Sequence, residues 1–120
     1  MIQVICPVCG AALAPQGTAW RCVQGHCFDV ARQGYVNLLT VTQKHSRHPG
    51  DTREMVAARR AFLDAGWYAP IAKTLADLVR RFCPEAASVL DAGCGEGYYL
   101  SQLGWVPERW GIDISRDAVR

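Results

Sequence analysis

Seven consecutive residues, Asp91-Ala92-Gly93-Cys94-Gly95-Glu96-Gly97, place an acid ahead of three alternating glycines. The apolar run before them, Ala86-Ala87-Ser88-Val89-Leu90, reads as a buried strand, and Tyr98 to Leu103 reads as the start of a helix. A strand, a glycine turn and a helix N-terminus together make a pocket for a small ligand at the edge of a parallel sheet. Glycine is needed because a side chain there would keep a ligand away from the backbone. Further on, Trp110-Gly111-Ile112-Asp113-Ile114 reads as a second strand with Asp113 at its end, 22 positions after Asp91.

The glycine spacing is Gly-x-Gly-x-Gly, not Gly-x-Gly-x-x-Gly. It favours a nucleoside without a pyrophosphate, such as S-adenosylmethionine, over a dinucleotide. A carboxylate about 20 residues past such a turn can accept hydrogen bonds from both ribose hydroxyls, which is the role expected of Asp113. Asp91 is expected near the methionine end, where its charge suits an ammonium group or orients the loop. Gly93, Gly95, Glu96 and Gly97 complete the expected cofactor loop. The competing reading is an ordinary strand-to-helix turn, with Asp113 serving only the helix that begins near Ser115.

A second cluster lies near the N-terminus. Cys6, Cys9, Cys22 and His26 follow the pattern Cys-x2-Cys-x12-Cys-x3-His, close to the spacing of tetrahedral zinc sites. Pro7 and Gly10 suit a tight knuckle that turns two sulfurs toward one ion. A short hairpin is expected between the pairs, turning at Pro15-Gln16-Gly17. Cys27 rivals His26 as the fourth ligand. Cys83 and Cys94 are read as small buried filler.

These sites must be carried by 120 residues, near the size of one average domain. A hydrophobic content of 50% with 20% charged residues fits a globular protein. The net charge of +2 is too small to indicate nucleic acid by itself. Met1 to Ile5 has no basic region and opens no long apolar run, so no signal peptide is read there. No stretch approaches a membrane span, so no membrane partner is expected. Six cysteines in a metal-type pattern then point to a reducing cytoplasm.

The elements between the two clusters are also legible. Phe28 to Leu39 is expected to close the zinc module with a strand or turn. Residues 43–50 are polar and basic and end in Pro49-Gly50, a linker in which His45 and His48 are read as exposed. Asp51 with Glu54 three residues on predicts a helix start capped by Asp51. Met55, Ala58 and Phe62 fall on one face of that helix, with Val56 and Leu63 beside it, and Gly66 ends it. Pro70 opens a second helix with an apolar stripe of Ile71, Leu75, Leu78, Val79 and Phe82, which Pro84 stops. Lys44, Arg47, Arg53, Arg59 and Arg60 outnumber the acids of this stretch and could grip phosphates, although charge alone favours an ordinary solvated surface.

Taken together, the zinc pattern, Gly34-Tyr35-Val36-Asn37-Leu38-Leu39, Pro49-Gly50-Asp51, the run from Ala58 to Gly66, and Gly93 to Tyr99 resemble the bacterial 23S rRNA (guanine-N1)-methyltransferases. This is the RlmA-type family, which includes a tylosin-resistance branch. The resemblance implies an α/β chain in which a small zinc-binding module (1–40) helps to recognise a 23S rRNA hairpin. A basic linker and helices (41–85) would follow, and then the start of a Rossmann-like, S-adenosylmethionine-dependent methyltransferase domain (86–120). It implies one structural zinc, a cofactor contact from Tyr68, and a homodimer as one arrangement open to the family. The activity implied is methyl transfer to N1 of guanine. Such a transfer is an in-line displacement in which positioning is most of the catalysis. The N1 proton must also be removed, and no residue presents itself as that base. A base within a hairpin would need to be extruded to reach the pocket.

The family's chains are about twice as long, so the sequence predicts a fragment whose later strands and loops are missing. On that expectation the 120 residues alone transfer little methyl. The zinc module folds independently with slow amide exchange, and exchange is fast beyond about residue 86. The alternative is a non-catalytic zinc-ribbon RNA-binding module that carries a vestigial half-Rossmann segment.

Overall fold

The computed structural model describes residues 2–120. Met1, which begins the expected 1–40 module, lies outside the described residues. The chain forms two units, Ile2–Pro49 and Gly50–Val119. The stretch read as a separate 41–85 segment is therefore divided: its polar linker closes the first unit, and its helices share the second with the parallel strands.

The first unit is a three-stranded antiparallel sheet, β1 (Ala14–Gln16), β2 (Ala19–Arg21) and β3 (Cys27–Asp29), in the order β1-β2-β3. The hairpin turns at Gly17-Thr18, slightly later than expected. Pro15 belongs to β1 opposite Trp20, while Gly17 takes the positive φ of 64° that a tight turn requires. Trp20 also faces Phe28 across the sheet. These two rings pack with Val4, Ala11 and Leu38 against a core of Cys6, Leu13 and Cys22. Two of the three buried residues of this cluster are thus cysteines, so the small apolar cluster and the thiols are one structure. The chain then closes through a bridge between Val30 and Val36. His45 and His48 are exposed, as read from the sequence.

The second unit begins with two helices, α1 (Arg53–Asp64) and α2 (Ala69–Phe82). The residue capping α1 is Thr52, not Asp51: the Thr52 hydroxyl accepts from the Met55 N–H at 3.3 Å. Asp51 is engaged elsewhere, its carboxylate with Arg59 and its carbonyl with Ser115. The buried face of α1 is Val56 and Leu63, whereas Met55 and Phe62 are largely exposed. Gly66 leaves the helix with φ 87°, the left-handed position that ends helices. Pro70 sits in the first turn of α2, and Cys83, exposed rather than buried, caps its far end. Only Ala72 of α2 is buried. The stripe of Ile71, Leu75, Leu78 and Phe82 faces outward. No helix among the described residues is long and apolar enough to cross a membrane.

Two parallel strands follow, β4 (Ser88–Ala92) and β5 (Glu108–Ile112), paired from Ser88–Glu108 to Ala92–Ile112. The segment that joins them is a single 3-10 turn at Leu100–Leu103, in place of the α-helix expected from Tyr98 onward. Gly97, Gly104 and Pro107 bound a stretch too short to propagate an α-helix. Leu103 and Val106 are buried within it. Trp105 receives the guanidinium of Arg80 from α2 at 4.9 Å from the ring centroid, a cation–π contact. A short helix, α3 (Arg116–Val119), ends the unit. Leu90, Ile112 and Ile114 are each half exposed, unlike strand residues covered on both faces.

Gly50 is held where no other residue fits. Its φ is 78°, and a Cβ there would lie 2.8 Å from the Ser115 nitrogen and 2.9 Å from Ile114 Cγ2. Ser115, 1% exposed, donates from its hydroxyl to the Asp51 carbonyl at 2.7 Å and accepts from the Ala118 N–H at 3.2 Å. Gly50→Ala is expected to destabilise this unit by about 2 kcal/mol or more, from backbone strain and the clash together. Urea denaturation of the variant measures the loss.

Candidate metal centre and cofactor loop

Each half of the metal cluster is built by a turn that starts at a cysteine and is closed by a glycine. The Gly10 N–H returns to the Cys6 carbonyl at 2.8 Å, and the Gly25 N–H returns to the Cys22 carbonyl at 3.0 Å. Both glycines have positive φ, 76° and 88°. The second glycine was not singled out in the sequence, although its role matches that of Gly10. Across these turns the ligand atoms of Cys6, Cys9, Cys22 and His26 all lie within 4.8 Å of one another. Cys9 Sγ is 3.7 Å from Cys22 Sγ, and His26 Nδ1 is 3.6 Å from Cys6 Sγ and 3.4 Å from Cys22 Sγ. A tetrahedron with Zn–S of about 2.3 Å and Zn–N of about 2.0–2.1 Å has edges of about 3.8 Å between sulfurs and about 3.5 Å between sulfur and nitrogen. The cluster therefore has the dimensions of a zinc site.

The electrostatics agree with the geometry. Burial pushes the Cys22 thiol up, but the backbone N–H groups of His26 and Gln24, the His26 ring and Cys9 bring it down to about 6. For Cys9 the Ala11 N–H lowers the thiol, while burial and the neighbouring Cys22 and Cys6 outweigh it and leave the thiol raised. The lowered Cys22 thiol favours the thiolate, the form that binds a cation, while Cys9 is held toward the thiol until a cation takes its proton's place. Cys27 is exposed at the head of β3, opposite Arg21, and is not among the four converging groups. Cys27→Ala is accordingly expected to retain about one zinc per chain and His26→Ala to lose it, as read by elemental analysis of the purified variants.

The glycine loop follows β4 directly. The Gly93 and Cys94 N–H groups both donate to the Ile112 carbonyl, at 2.7 and 2.9 Å, folding the loop over the end of β5. Gly93, Gly95 and Gly97 all have positive φ, 79°, 57° and 89°, and open space lies where their Cβ atoms would stand. The loop is therefore a cradle that side chains would fill. Asp113 reaches back from the end of β5. Its Oδ2 accepts from the Gly95 N–H at 2.9 Å and its Oδ1 from the Ser115 N–H at 2.7 Å. A carboxylate offers about four acceptor sites, so two remain. Both the loop after β4 and Asp113 after β5 lie at the carboxyl edge of the parallel strands, where ligands of such sheets bind. Asp91 is half-buried in β4 opposite Gly111. Glu96 accepts from Arg60 Nε of α1. Tyr68 stands at the corner between α1 and α2, its ring edge-on to Phe62 with centroids 5.0 Å apart.

Gly111 carries a demand that strand patterning does not reveal. A Cβ on it would lie 2.8 Å from the Cys94 Sγ and 3.2 Å from its Cβ. Glycine inside a strand signals such a close approach, and that was the one available clue. Cys94 is only half-buried, and burial first, then the charges of Asp113 and Asp91, push its thiol up.

Residues 4–47 match the zinc-ribbon family described as RlmA, N-terminal. Three curated relatives match nearly the whole chain. One from Streptomyces fradiae, a 23S rRNA (guanine(748)-N(1))-methyltransferase, is 44% identical over 96% of this chain and 42% of its own length. One from Micromonospora griseorubida, named as a putative enzyme of the same kind, is 43% identical over 96% of this chain and 45% of its own. A third, from Bacillus subtilis, is 34% identical over 95% and 43%. The chain is homologous to the 23S rRNA (guanine-N1)-methyltransferases. It spans a little under half the length of these relatives. The zinc cluster and the β1–β3 sheet both fall inside the stretch that matches the RlmA ribbon, so Cys6, Cys9, Cys22 and His26 make up a zinc-binding module.

Proposed function

We propose that this chain is the N-terminal part of an S-adenosylmethionine-dependent methyltransferase acting on N1 of a guanine in a 23S rRNA hairpin. One observation carries the reading. In a chain homologous to such enzymes, an open glycine cradle at the carboxyl edge of parallel strands is held by an aspartate with acceptor capacity to spare. The second unit is then the beginning of a Rossmann-like domain.

The bound cofactor supplies an electrophilic methyl group on a sulfonium. The chain's own residues position it. Gly93, Gly95 and Gly97 admit the nucleoside close to the backbone, where no side chain intervenes. Asp113, fixed by two backbone N–H groups, would offer its remaining acceptor sites to the ribose hydroxyls. Asp91 would offer its negative charge to the ammonium group, Glu96 would shape the loop, and Tyr68 would add a contact to the bound cofactor. The ribbon, with its exposed Arg21 and the basic stretch after it, contacts rRNA phosphates. Positioning of the methyl in line with N1 supplies most of the acceleration.

Calorimetry with S-adenosylhomocysteine on the complete product of the gene tests the cofactor reading. Asp113→Ala is expected to weaken binding by about 1.5–3 kcal/mol, the range for hydrogen bonds to a charged group. Unchanged affinity in Asp113→Ala would place the ribose elsewhere. N1 methylation also blocks Watson–Crick pairing, so reverse transcription of 23S rRNA should stop one base before the target when the gene is intact and read through when it is deleted.

A further inference from the structure

The glycine loop is gripped at two consecutive residues from two different elements. From β5, the Asp113 carboxylate takes the Gly95 N–H. From α1, Arg60 takes the Glu96 carboxylate. The two grips differ in kind. The first belongs to the strand–loop–strand unit itself. The second comes from a helix 36 positions earlier in the chain, whose inward face is Val56 and Leu63 and whose position is therefore set by packing.

The burial of the two partners is unequal. The Glu96 side chain is 17% exposed and the Arg60 side chain 58%. A mostly buried carboxylate deprived of its cation loses more than an exposed one, because it keeps its desolvation cost. An arginine on the surface gives up little by comparison. The attraction is mutual, but the cost of losing it falls mainly on Glu96 and, through it, on the loop. The three glycines give such a tether something to do. With φ of 57° to 89° and nothing within 4 Å of where their β-carbons would stand, Gly93, Gly95 and Gly97 are held by main-chain hydrogen bonds and not by side-chain packing. A loop of this composition pays in entropy for being ordered, and an outside tether lowers what a ligand must supply.

We propose that Arg60 of α1 is a positioning residue for the cofactor loop, holding Glu96 so that the loop at 93–97 stands in its ligand-ready shape before S-adenosylmethionine arrives. Glu96 then serves as the loop's anchor, with its charge already balanced by Arg60, and Asp91 is left as the carboxylate for the cofactor's ammonium group. The proposal rests on the cofactor reading above, but its first test does not.

The test uses the complete gene product in two measurements. Amide hydrogen exchange without ligand reads the loop alone. Arg60→Ala is expected to speed exchange across residues 94–97 while leaving the ribbon amides unchanged. Affinity for S-adenosylhomocysteine reads the consequence, with an expected loss of about three- to tenfold, between the effect of an exposed and a buried pair. The exchanged pair, Arg60→Glu with Glu96→Arg, should recover most of both, which loss of helix packing would not allow. Lys73→Ala, which removes a pair with Asp77 confined to the exposed face of α2, is the charge control and should change neither. Unchanged loop exchange in Arg60→Ala overturns the proposal, whatever the affinity. Faster exchange in a protein whose parent binds no S-adenosylhomocysteine would sustain the tether and overturn the cofactor reading instead.

Discussion

Cys9→Ser is expected to leave the ribbon without metal and without a fold. Zinc bound by small modules contributes about 10–16 kcal/mol of apparent free energy at neutral pH, and that energy is folding energy. Here the dependence is direct. The buried cluster of the first unit is Cys6, Leu13 and Cys22, with Ala19 buried beside it in β2, so two of the four buried side chains are ligands. Its strands are three residues each, too short to stand alone. Elemental analysis should give about one zinc per parent chain and close to none in Cys9→Ser or Cys22→Ser. Near-ultraviolet circular dichroism should lose the Trp20 signal, and amides of residues 4–30 should exchange at rates near those of an unfolded chain. Chelation of the parent protein should do the same. Zinc retained in both cysteine variants would remove these residues from the site.

Gly111→Val should have the second largest effect, although Gly111 supplies no side chain to the site. A single Cβ at 111 already meets the Cys94 sulfur at 2.8 Å, and the branched side chain adds two carbons to the same space. Valine is otherwise welcome in a strand, so secondary-structure preference predicts stabilisation where packing predicts damage. Packing should win. Either Cys94 is driven out, carrying Gly93 and Gly95 with it, or β5 separates from β4. Overpacking of this kind costs about 1–3 kcal/mol or more in stability. Loss of cofactor affinity should exceed the loss expected from stability alone, because Cys94 lies between two cradle glycines. The informative companion is Gly111→Val with Cys94→Ala, which makes room and should restore part of both. No recovery in the double variant would mean that the clash lies elsewhere.

Chemistry was more legible in the sequence than packing was. Metal ligands announce themselves by residue type and spacing, and the four that converge are the four that the pattern Cys-x2-Cys-x12-Cys-x3-His singled out. Glycine and acid around a loop are similarly explicit. Helix ends were readable at Gly66 and Pro70, where one residue type dominates the local geometry. At Asp51 two adjacent residues could each cap a helix; Thr52 does so, while the Asp51 carboxylate pairs with Arg59 and its carbonyl is held by Ser115, 64 positions away. No local rule contains that contact. The same holds for Gly50 and Gly111, whose importance lies in what approaches them. Periodicity found the apolar stripe of α2 and could not say that it faces outward. A helix was expected after Gly97, where only a 3-10 turn forms, because the apolar residues there fill a short crossover and do not line a longer helix. In the sequence Arg60 stood among basic residues that could grip phosphates or lie on a solvated face; its pairing with Glu96 depends on how α1 meets the loop.

Methyl transfer in vitro tests the account most directly. The complete gene product, loaded with zinc, is incubated with a 23S rRNA hairpin transcript and methyl-labelled S-adenosylmethionine, and the RNA is digested to nucleosides. The account predicts label in N1-methylguanosine alone, with transfer abolished by Gly95→Val, which fills the cradle, and strongly reduced by Asp113→Ala. Label on another base or another guanine atom, or equal transfer by Gly95→Val, would contradict it.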